Sequence, residues 1–472
     1  MIFASGLFLY LFLPLFLALY YLTPRAFRSL TLAVASYVFY GWWRPDFVLL
    51  MWISTLLDFS CGKAILRARE RAAVGAPGQA VRAGRPWLIL SAVVNLGLLA
   101  YFKYANFGID TLNDLLHGWG YSRVRWTEVV LPVGISFYTF QTLSYTVDVY
   151  RGDAPPVRSF RDFMCYVAMF PQLVAGPIVR YNTVADQLHS RSHTWSKFAR
   201  GVLAFQAGLA KKLLIADTLA PLADQAFDAK LLSAGDAWLG TLAYTLQIYF
   251  DFSGYSDMAI GLGLMMGFHL PINFNRPYSS VSITDFWRRW HISLSSFLRD
   301  YLYIPLGGNR KGPVRTYVNL ALTMLLGGLW HGAAWTFIAW GAYQGFWLIL
   351  ERLSGRRSLY GFLPSAGQFA ITFVLVMFGW VLFRAETFDS AMKVWQAMLG
   401  AGRPDLPTVL TIRPIHMIIA GLAVPILWWL PTTQDLVKRT PAIWVFAMQP
   451  IFFLSLVHLH YQDHVPFLYF QF

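Results

Sequence analysis

Charged side chains are scarce in this chain: Asp, Glu, Lys and Arg make up 13% of its 472 residues. Soluble domains carry about twice that share, so a soluble globular domain is excluded. Hydrophobic residues make up 57%, and most of them fall in long continuous runs. A helix needs roughly 20 apolar residues to cross a bilayer. Because these runs do not alternate between polar and apolar residues, they predict helices and not barrel strands. The composition therefore predicts an all-α polytopic membrane protein.

Cysteine is almost missing, with only Cys61 and Cys165, both in apolar surroundings. Two such residues suit neither a disulfide framework nor a zinc site, and we expect them to be buried as small hydrophobic side chains. The chain also lacks the HExxH pattern of a zinc protease and the GxSxG pattern of an α/β-hydrolase. These absences predict no metal and no resident cofactor.

Acidic residues are outnumbered by basic ones, 24 to 38, which gives a net charge of +14. No nucleic-acid-binding motif accompanies this charge, so no nucleic-acid partner is expected. Basic residues in short loops are typical of the cytoplasmic side of a membrane protein. The segment from Gly62 to Pro86 is the strongest example, and we predict that it is a cytoplasmic loop.

Apolar segments recur along the whole chain and predict about 10 to 12 transmembrane helices. They fall roughly at 2–22, 28–43, 47–66, 87–109, 128–148, 160–179, 198–222, 237–268, 314–350, 365–384, 413–431 and 441–461. The segment 314–350 is long enough for one tilted helix and part of a second, or for one helix with a re-entrant turn. No stretch is large enough to fold as a soluble domain, so residues 1–472 are expected to form a single membrane domain. We divide it into N-terminal helices over 1–110, a candidate catalytic core over about 128–350 and C-terminal helices over 365–472.

Groups that titrate near neutral pH are missing from residues 318–350, except for His331. An ionisable side chain at membrane depth is costly, which makes His331 a candidate functional residue. An apolar pocket favours neutral imidazole, which can take a proton from a hydroxyl as that oxygen attacks a carbonyl. We expect Trp330, Trp335 and Trp340 to keep water away from it. On these residues alone, a proton relay, a haem ligand and a core histidine bonded to a carbonyl remain alternatives.

A second histidine, His291, lies in a segment that is too charged to cross lipid by itself. Thr284 is predicted to cap a helix that begins at Asp285. The apolar residues of this helix share one face, at Phe286, Trp290, Leu294 and Phe297. The pattern predicts an interfacial or re-entrant helix shielded by other helices. A plain interfacial anchor is the alternative.

Two acids, Asp251 and Asp257, also lie in apolar sequence. Intramembrane acids usually face a cavity or pair with a base, and we favour structural pairing over direct catalysis. Gly254 between them is predicted to mark a helix break. A further break is predicted at Pro171–Ile178, which contains two prolines and a glycine.

The two histidine segments, Asp285–Ser295 and Leu329–Gly341, closely resemble the membrane-bound O-acyltransferase (MBOAT) family. Within that family they resemble the bacterial AlgI-type polysaccharide O-acetyltransferases, which are related to the D-alanyl transfer protein DltB. The runs Tyr249–Gly261, Asn273–Tyr278 and Leu30–Trp43 are similar to the same branch. The resemblance implies an MBOAT fold, with re-entrant and interfacial helices around a central tunnel.

The resemblance also implies a function and roles for residues. His331 is expected to be the catalytic residue and His291 a second residue of the active site. The implied enzyme passes an acetyl group from cytoplasmic acetyl-CoA across the bacterial inner membrane. The acceptor is a hydroxyl of a periplasmic partner protein or of an exopolysaccharide such as alginate or cellulose. A non-enzymatic transporter or channel, or a scaffold for the acetylation machinery, is the alternative.

The remaining candidates are expected to bind substrate: Trp287, Arg288, Trp290, Arg299, Trp330, Trp335, Asp251 and Asp257. The basic residues near His291 suit a phosphate-rich donor, with contact to lipid headgroups as the alternative: Arg288, Arg289, Arg299, Arg310, Lys311 and Arg315.

Overall fold

A computed structural model of the chain describes residues 1–75, 80–355, 358–401, 408–462 and 468. Within these ranges all regular structure is helical, which confirms the all-α prediction. Contacts divide the chain into two compact units, Met1–Ala199 with Leu262–Pro271 and Arg200–Gly261 with Ile272–Phe472. The single domain over residues 1–472 and its three divisions stay predictions.

The first unit contains nine complete helices among its described residues. They are α1 (Leu13–Leu22), α2 (Arg28–Gly41), α3 (Asp46–Gly75), α4 (Ala80–Ala83), α5 (Arg85–Gly118), α6 (Ile135–Arg151), α7 (Phe160–Ala168), α8 (Phe170–Leu173) and α9 (Tyr181–His189). The buried carboxylate of Asp58 on α3 accepts hydrogen bonds from Ser91 and Asn95 on α5, at 2.6 and 2.8 Å. These bonds satisfy an acid that would be expensive to bury alone.

Two sequence predictions fall in this unit with different outcomes. The predicted cytoplasmic loop from Gly62 is wrong over its first half, because α3 continues to Gly75. The residues there are mostly Ala, Arg, Leu and Glu, which are strong helix formers. The predicted break at Pro171–Ile178 is confirmed, since α7 ends at Ala168 and α8 has only four residues. Cys61 and Cys165 are both buried, as expected.

The second unit holds the remaining helices, two of which have one end in the first unit. These two are α10 (Trp195–Ala210) and α12 (Ala234–Met265). The others are α11 (Asp217–Asp228), α13 (Ile283–Arg289), α14 (Ile292–Leu298), α15 (Pro313–His331), α16 (Trp335–Leu353), α17 (Ser365–Arg384), α18 (Phe388–Met398), α19 (Pro414–Trp428), α20 (Thr433–Arg439) and α21 (Ala442–Tyr461). Short π-helical segments follow α10, at Lys211–Ala216, and α14, at Arg299–Tyr303.

Helices α10 and α12 approach each other closely because glycines face each other across their contact. A Cβ atom on Gly208 would lie 2.4 Å from the carbonyl oxygen of Gly254, and one on Gly254 would lie 2.6 Å from that of Gly208. Small residues at such contacts are typical of helix pairs in membranes. Gly254 does not break its helix, contrary to the sequence prediction, because α12 runs through it. Its lack of a side chain serves packing instead.

Four helices among the described residues are long and apolar enough to cross a membrane. They are α3 over Asp46–Ala72, α5, α17 and α21. A fifth results if α19 and α20, which are bent by 64° relative to each other, form one broken span. Several other apolar segments form shorter helices. The figure of 10 to 12 crossings therefore stays a prediction.

Candidate active site

His331 is the last residue of α15, at the start of a sharp turn into α16. The two helices pack backbone against backbone: a Cβ atom on Gly328 would lie 2.3 Å from the carbonyl oxygen of Phe337. A Cβ atom on Gly332 would lie 2.1 Å from the ring of Phe337. The glycines on both sides of His331 are therefore required by the tight hairpin. The apolar segment 314–350 is thus two helices, as in the first of the two predicted arrangements.

Aromatic rings surround the imidazole of His331, which is 8% exposed. The ring centres of Trp340 and Phe383 each lie 5.2 Å from its centre, and that of Trp330 lies 5.0 Å away. Trp330 and Trp340 are buried, as predicted for residues that exclude water. Trp335 is 52% exposed and gives far less shielding than predicted, because it begins α16 on the outer side of the turn. Its role in substrate binding stays a prediction.

A small cavity of about 10 Å³ adjoins His331. Among the described residues, it is lined mainly by large apolar side chains together with His331 and Asp251: Ile248, Asp251, Phe252, Trp290, His331, Trp340, Trp380, Phe383 and Leu468. A volume of this size holds about one water-sized group. The free space beside this imidazole is therefore about the size of one small group, such as a water molecule or a methyl group.

The segment that carries His291 is not the single helix predicted from its apolar face. The face is buried as expected, but α13 ends at Arg289 and α14 begins at Ile292. His291 between them has φ 42° and ψ 54°, a left-handed conformation that costs a non-glycine residue about 1–3 kcal/mol. Such strain persists only where the surroundings hold it.

The start of α13 also differs from the prediction. Ser282, and not Thr284, caps the helix, because its side chain accepts a bond of 3.0 Å from the backbone N–H of Asp285. The backbone N–H groups of Ile283 and Thr284 donate to the carboxylate of Glu351 on α16, at 2.7 and 2.9 Å. An acid from a separate helix thus stabilises the positive end of α13. This contact connects the segment of His291 to the hairpin of His331.

The residues just before α13 hold His291 in place. The backbone N–H of Ile292 donates to the carbonyl of Asn273 at 2.9 Å, and that of Asn275 donates to the carbonyl of Arg289 at the same distance. The side-chain oxygen of Asn273 lies 3.0 Å from Nδ1 of His291. The ring centres of His291 and His331 are 6.3 Å apart. The structure therefore brings the two predicted histidines together.

The two intramembrane acids are paired with two consecutive lysines that follow α10. Lys211 lies 2.6 Å from Asp257, and Lys212 lies 2.8 Å from Asp251. Lys212 also contacts Asp217. The structural pairing that we favoured is confirmed for both acids. Asp251 also lines the cavity beside His331.

The other predicted substrate-binding residues lie in different settings. Trp290 lines the cavity beside His331. Trp287 donates to Gln344 at 3.2 Å and contacts the ring of Trp340. Arg288 is exposed at the end of α13. Arg299 is 63% exposed in its side chain and pairs with Asp300. Of these residues, only Trp290 belongs to the wall around His331.

The distal part of the basic run is exposed at the start of α15. These residues are Arg310, Lys311 and Arg315. The rise of an α-helix places Pro313 about 27 Å from His331 along the axis. A donor whose phosphates contact these residues would need an extended arm to reach the histidine.

Several residues of the site were not predicted, and three of them are Asn273, Trp380 and Phe383. Asn273 belongs to the run Asn273–Tyr278, in which no single residue stands out chemically. Trp380 and Phe383 lie in α17, whose apolar sequence is that of any membrane helix. Only the fold places these two rings at the cavity beside His331. Within the described part of the chain, no three His, Cys, Asp or Glu side chains are arranged to hold a metal ion.

Comparison with known proteins gives the family. The family model described as MBOAT, membrane-bound O-acyltransferase family, matches residues 156–386. A probable alginate O-acetylase AlgI of Pseudomonas aeruginosa is 54% identical over 402 residues, which cover 85% of this chain and 75% of that protein.

Two further relatives extend this comparison. A probable alginate O-acetylase AlgI of Pseudomonas putida is 47% identical over 496 residues, with both chains fully covered. A peptidoglycan O-acetyltransferase of Helicobacter pylori is 38% identical over 85% of this chain and 80% of its own length. The chain is thus a multi-pass membrane enzyme that transfers acyl groups to oxygen, and it belongs to the membrane-bound O-acyltransferase family.

Proposed function

We propose that this enzyme transfers an acetyl group from cytoplasmic acetyl-CoA to a hydroxyl on the opposite side of the bacterial inner membrane. The final acceptor in this proposal is a cell-surface or secreted polysaccharide, reached directly or through a periplasmic partner protein. The names of the relatives support this choice, since they act on alginate and on peptidoglycan. Which polymer is acetylated depends on the biosynthetic pathway in which the enzyme works.

The cavity beside His331 is the observation that carries the choice of acetyl. Its volume of about 10 Å³ leaves room for one small group, which favours the methyl group of an acetyl over a longer acyl chain. Aromatic rings form most of its wall, which keeps water from competing with the acceptor. A buried, neutral imidazole next to such a cavity is suited to general base catalysis.

In the proposed reaction, His331 takes the proton of the acceptor hydroxyl while the oxygen attacks the carbonyl carbon of the thioester. The carbon–sulfur bond breaks as the tetrahedral intermediate collapses. The thiolate of coenzyme A then takes the proton from the imidazolium, which restores the base. His291 lies close enough to orient the acceptor or the carbonyl. Arg288, three residues before His291, is the nearest exposed basic residue in sequence for a donor phosphate.

The proposal is tested with purified enzyme in proteoliposomes that are given radiolabelled acetyl-CoA and polymer or partner protein. We expect transfer of label together with release of free coenzyme A. His331→Ala should reduce both by about 10²- to 10⁴-fold. His117→Ala, which changes an exposed histidine at the end of α5, is the control and should keep full activity.

The alternatives give different results in the same assay. A transporter or channel would move labelled acetyl groups without acceptor-dependent release of coenzyme A. A scaffold would show neither transfer nor release with the purified chain alone. Full activity of the His331→Ala enzyme, with normal membrane insertion, would refute the assignment of the base.

A further inference from the structure

The hydrogen bonds around Asn273 determine which of its amide atoms faces His291. The backbone N–H of Ser293 lies 3.3 Å from the side-chain Oδ1 of Asn273, and the hydroxyl of Ser293 lies 2.9 Å from the same atom. A backbone N–H can only donate, so its partner must be the amide oxygen. The amide nitrogen then donates to the hydroxyl of Ser256, at 3.1 Å. The orientation of this amide is therefore fixed at both ends.

This orientation determines the tautomer of His291. Nδ1 of His291 lies 3.0 Å from Oδ1 of Asn273, an atom that can only accept. Two acceptors at this distance would repel each other, so Nδ1 must carry the proton. In a neutral imidazole the other nitrogen, Nε2, is then unprotonated and presents a lone pair.

The Nε2 atom of His291 has no hydrogen-bond partner in the described part of the chain. His291 is fully buried, and among the described residues no donor lies within hydrogen-bond distance of Nε2. Buried polar atoms are nearly always hydrogen-bonded, so an exception beside a predicted catalytic residue calls for a ligand. The rings of Phe252, Trp330 and His331 lie next to this imidazole, with their centres 4.7, 6.2 and 6.3 Å from its own.

We propose that Asn273 is a positioning residue, which holds His291 as the Nδ1–H tautomer so that Nε2 accepts a hydrogen bond from a sugar hydroxyl of the acceptor that neighbours the attacking one. The proposal rests on the proposed function and decides between two roles left open for His291. A neutral imidazole with a bare Nε2 cannot donate to a developing oxyanion. It can orient the acceptor through the neighbouring hydroxyl, which leaves the proton of the attacking hydroxyl for His331. The carbonyl of Asn273 also holds the strained backbone after His291 through Ile292.

The first test observes the tautomer directly and needs no activity. The purified, full-length enzyme is labelled with 15N-histidine, and the two ring-nitrogen signals of His291 are assigned by their loss in His291→Gln. The expected result is a protonated Nδ1 and an unprotonated Nε2 near neutral pH. A protonated Nε2 in the neutral ring would overturn the proposal, whether or not the chain transfers acetyl groups.

The second test separates positioning from folding by comparing two replacements of Asn273. Asn273→Leu removes the acceptor, and we expect kcat to fall about 10²- to 10⁴-fold, as when the orienting partner of a catalytic histidine is lost. Asn273→Asp keeps an acceptor for Nδ1–H and adds a negative charge that favours the imidazolium. It should retain far more activity than the Leu variant. The acidic limb of its pH–rate profile should move to higher pH, because more of His291 is then protonated at a given pH.

Ser256→Ala is the matched control, since it removes only the partner of the amide nitrogen and leaves Oδ1 facing His291. It should lower kcat far less than Asn273→Leu does and leave the pH profile unchanged, because Ser293 still holds Oδ1 toward His291. If Asn273→Leu and Asn273→Asp lose activity equally, with an unchanged pH profile, Asn273 has only a structural role and the proposal is wrong. Failure of the proposed function would appear separately, as retained transfer in the His331→Ala enzyme.

Discussion

The size of the cavity beside His331 predicts how strictly the enzyme selects its acyl donor. The cavity of about 10 Å³ is filled by one methyl-sized group. An additional methylene in a site of fixed size changes kcat/KM by about 10- to 200-fold, or about 1–3 kcal/mol. We therefore expect the wild-type enzyme to prefer acetyl-CoA to propionyl-CoA by a factor in this range.

Replacing one ring of the cavity wall should relax this preference. Phe383 lines the cavity, is buried, and has its ring centre 5.2 Å from that of His331. Phe383→Leu removes part of a flat ring and leaves space for about one methylene. The ratio of kcat/KM for acetyl-CoA to that for propionyl-CoA should fall at least tenfold. The free energy of unfolding should fall by about 1–2 kcal/mol.

A matched control separates the change in cavity shape from the loss of stability. Phe227 lies in the same hydrophobic core, is 4% exposed against 5% for Phe383, and does not line the cavity. Phe227→Leu should cost a similar amount of stability and leave the ratio of the two donors unchanged. Both ratios are measured from the release of free coenzyme A by each donor. An unchanged ratio in Phe383→Leu, with normal use of acetyl-CoA, would show that the acyl group binds elsewhere.

Two further predictions concern stability, measured as the midpoint of thermal unfolding in detergent. Lys212→Met leaves two buried carboxylates without their cation and should cost about 3–5 kcal/mol, whereas Lys230→Met, at an exposed site, should change little. Gly208→Ala should destabilise the chain by about 1–3 kcal/mol, because its Cβ atom would lie 2.4 Å from the carbonyl oxygen of Gly254. Gly97→Ala, where a Cβ meets nothing within 4 Å, should be neutral or slightly stabilising. If a variant and its control unfold at the same midpoint temperature, the contact that the variant removes or disturbs does not contribute to stability as expected.

The sequence was sufficient to locate His331 because the signal is local. One titratable residue stands alone among more than thirty residues that carry no such group, and the cost of burying it is a general property of membranes. The glycines beside it were visible too, but their role was not. Whether Gly328 permits a tight hairpin depends on where the backbone of Phe337 passes, and no local pattern records that.

In the segment of His291, the helical spacing of apolar residues did not predict where the helix ends. Apolar residues spaced as on one helix did become buried, yet the helix divides at Trp290 and His291. Backbone bonds from Asn273 and Asn275 hold the divided conformation. They come from an extended segment about fifteen residues earlier, so their effect belongs to tertiary structure. The lysine partners of Asp251 and Asp257 could not be predicted for the same reason, because they lie about forty residues earlier in the chain.

The geometry around His331 also helps to distinguish an enzyme from a transporter or channel. A transporter or channel for a polysaccharide needs a path that admits at least one sugar ring, and such paths are lined by polar groups. The space beside His331 holds one water-sized group and has mostly aromatic walls. Widening it would require Trp340 and Trp380, which are each 1% exposed, to leave a packed core. Packed cores resist such changes, because each lost contact costs stabilisation. A narrow, mostly aromatic space beside His331 suits a reaction between the ends of two groups and opposes passage of a whole polymer.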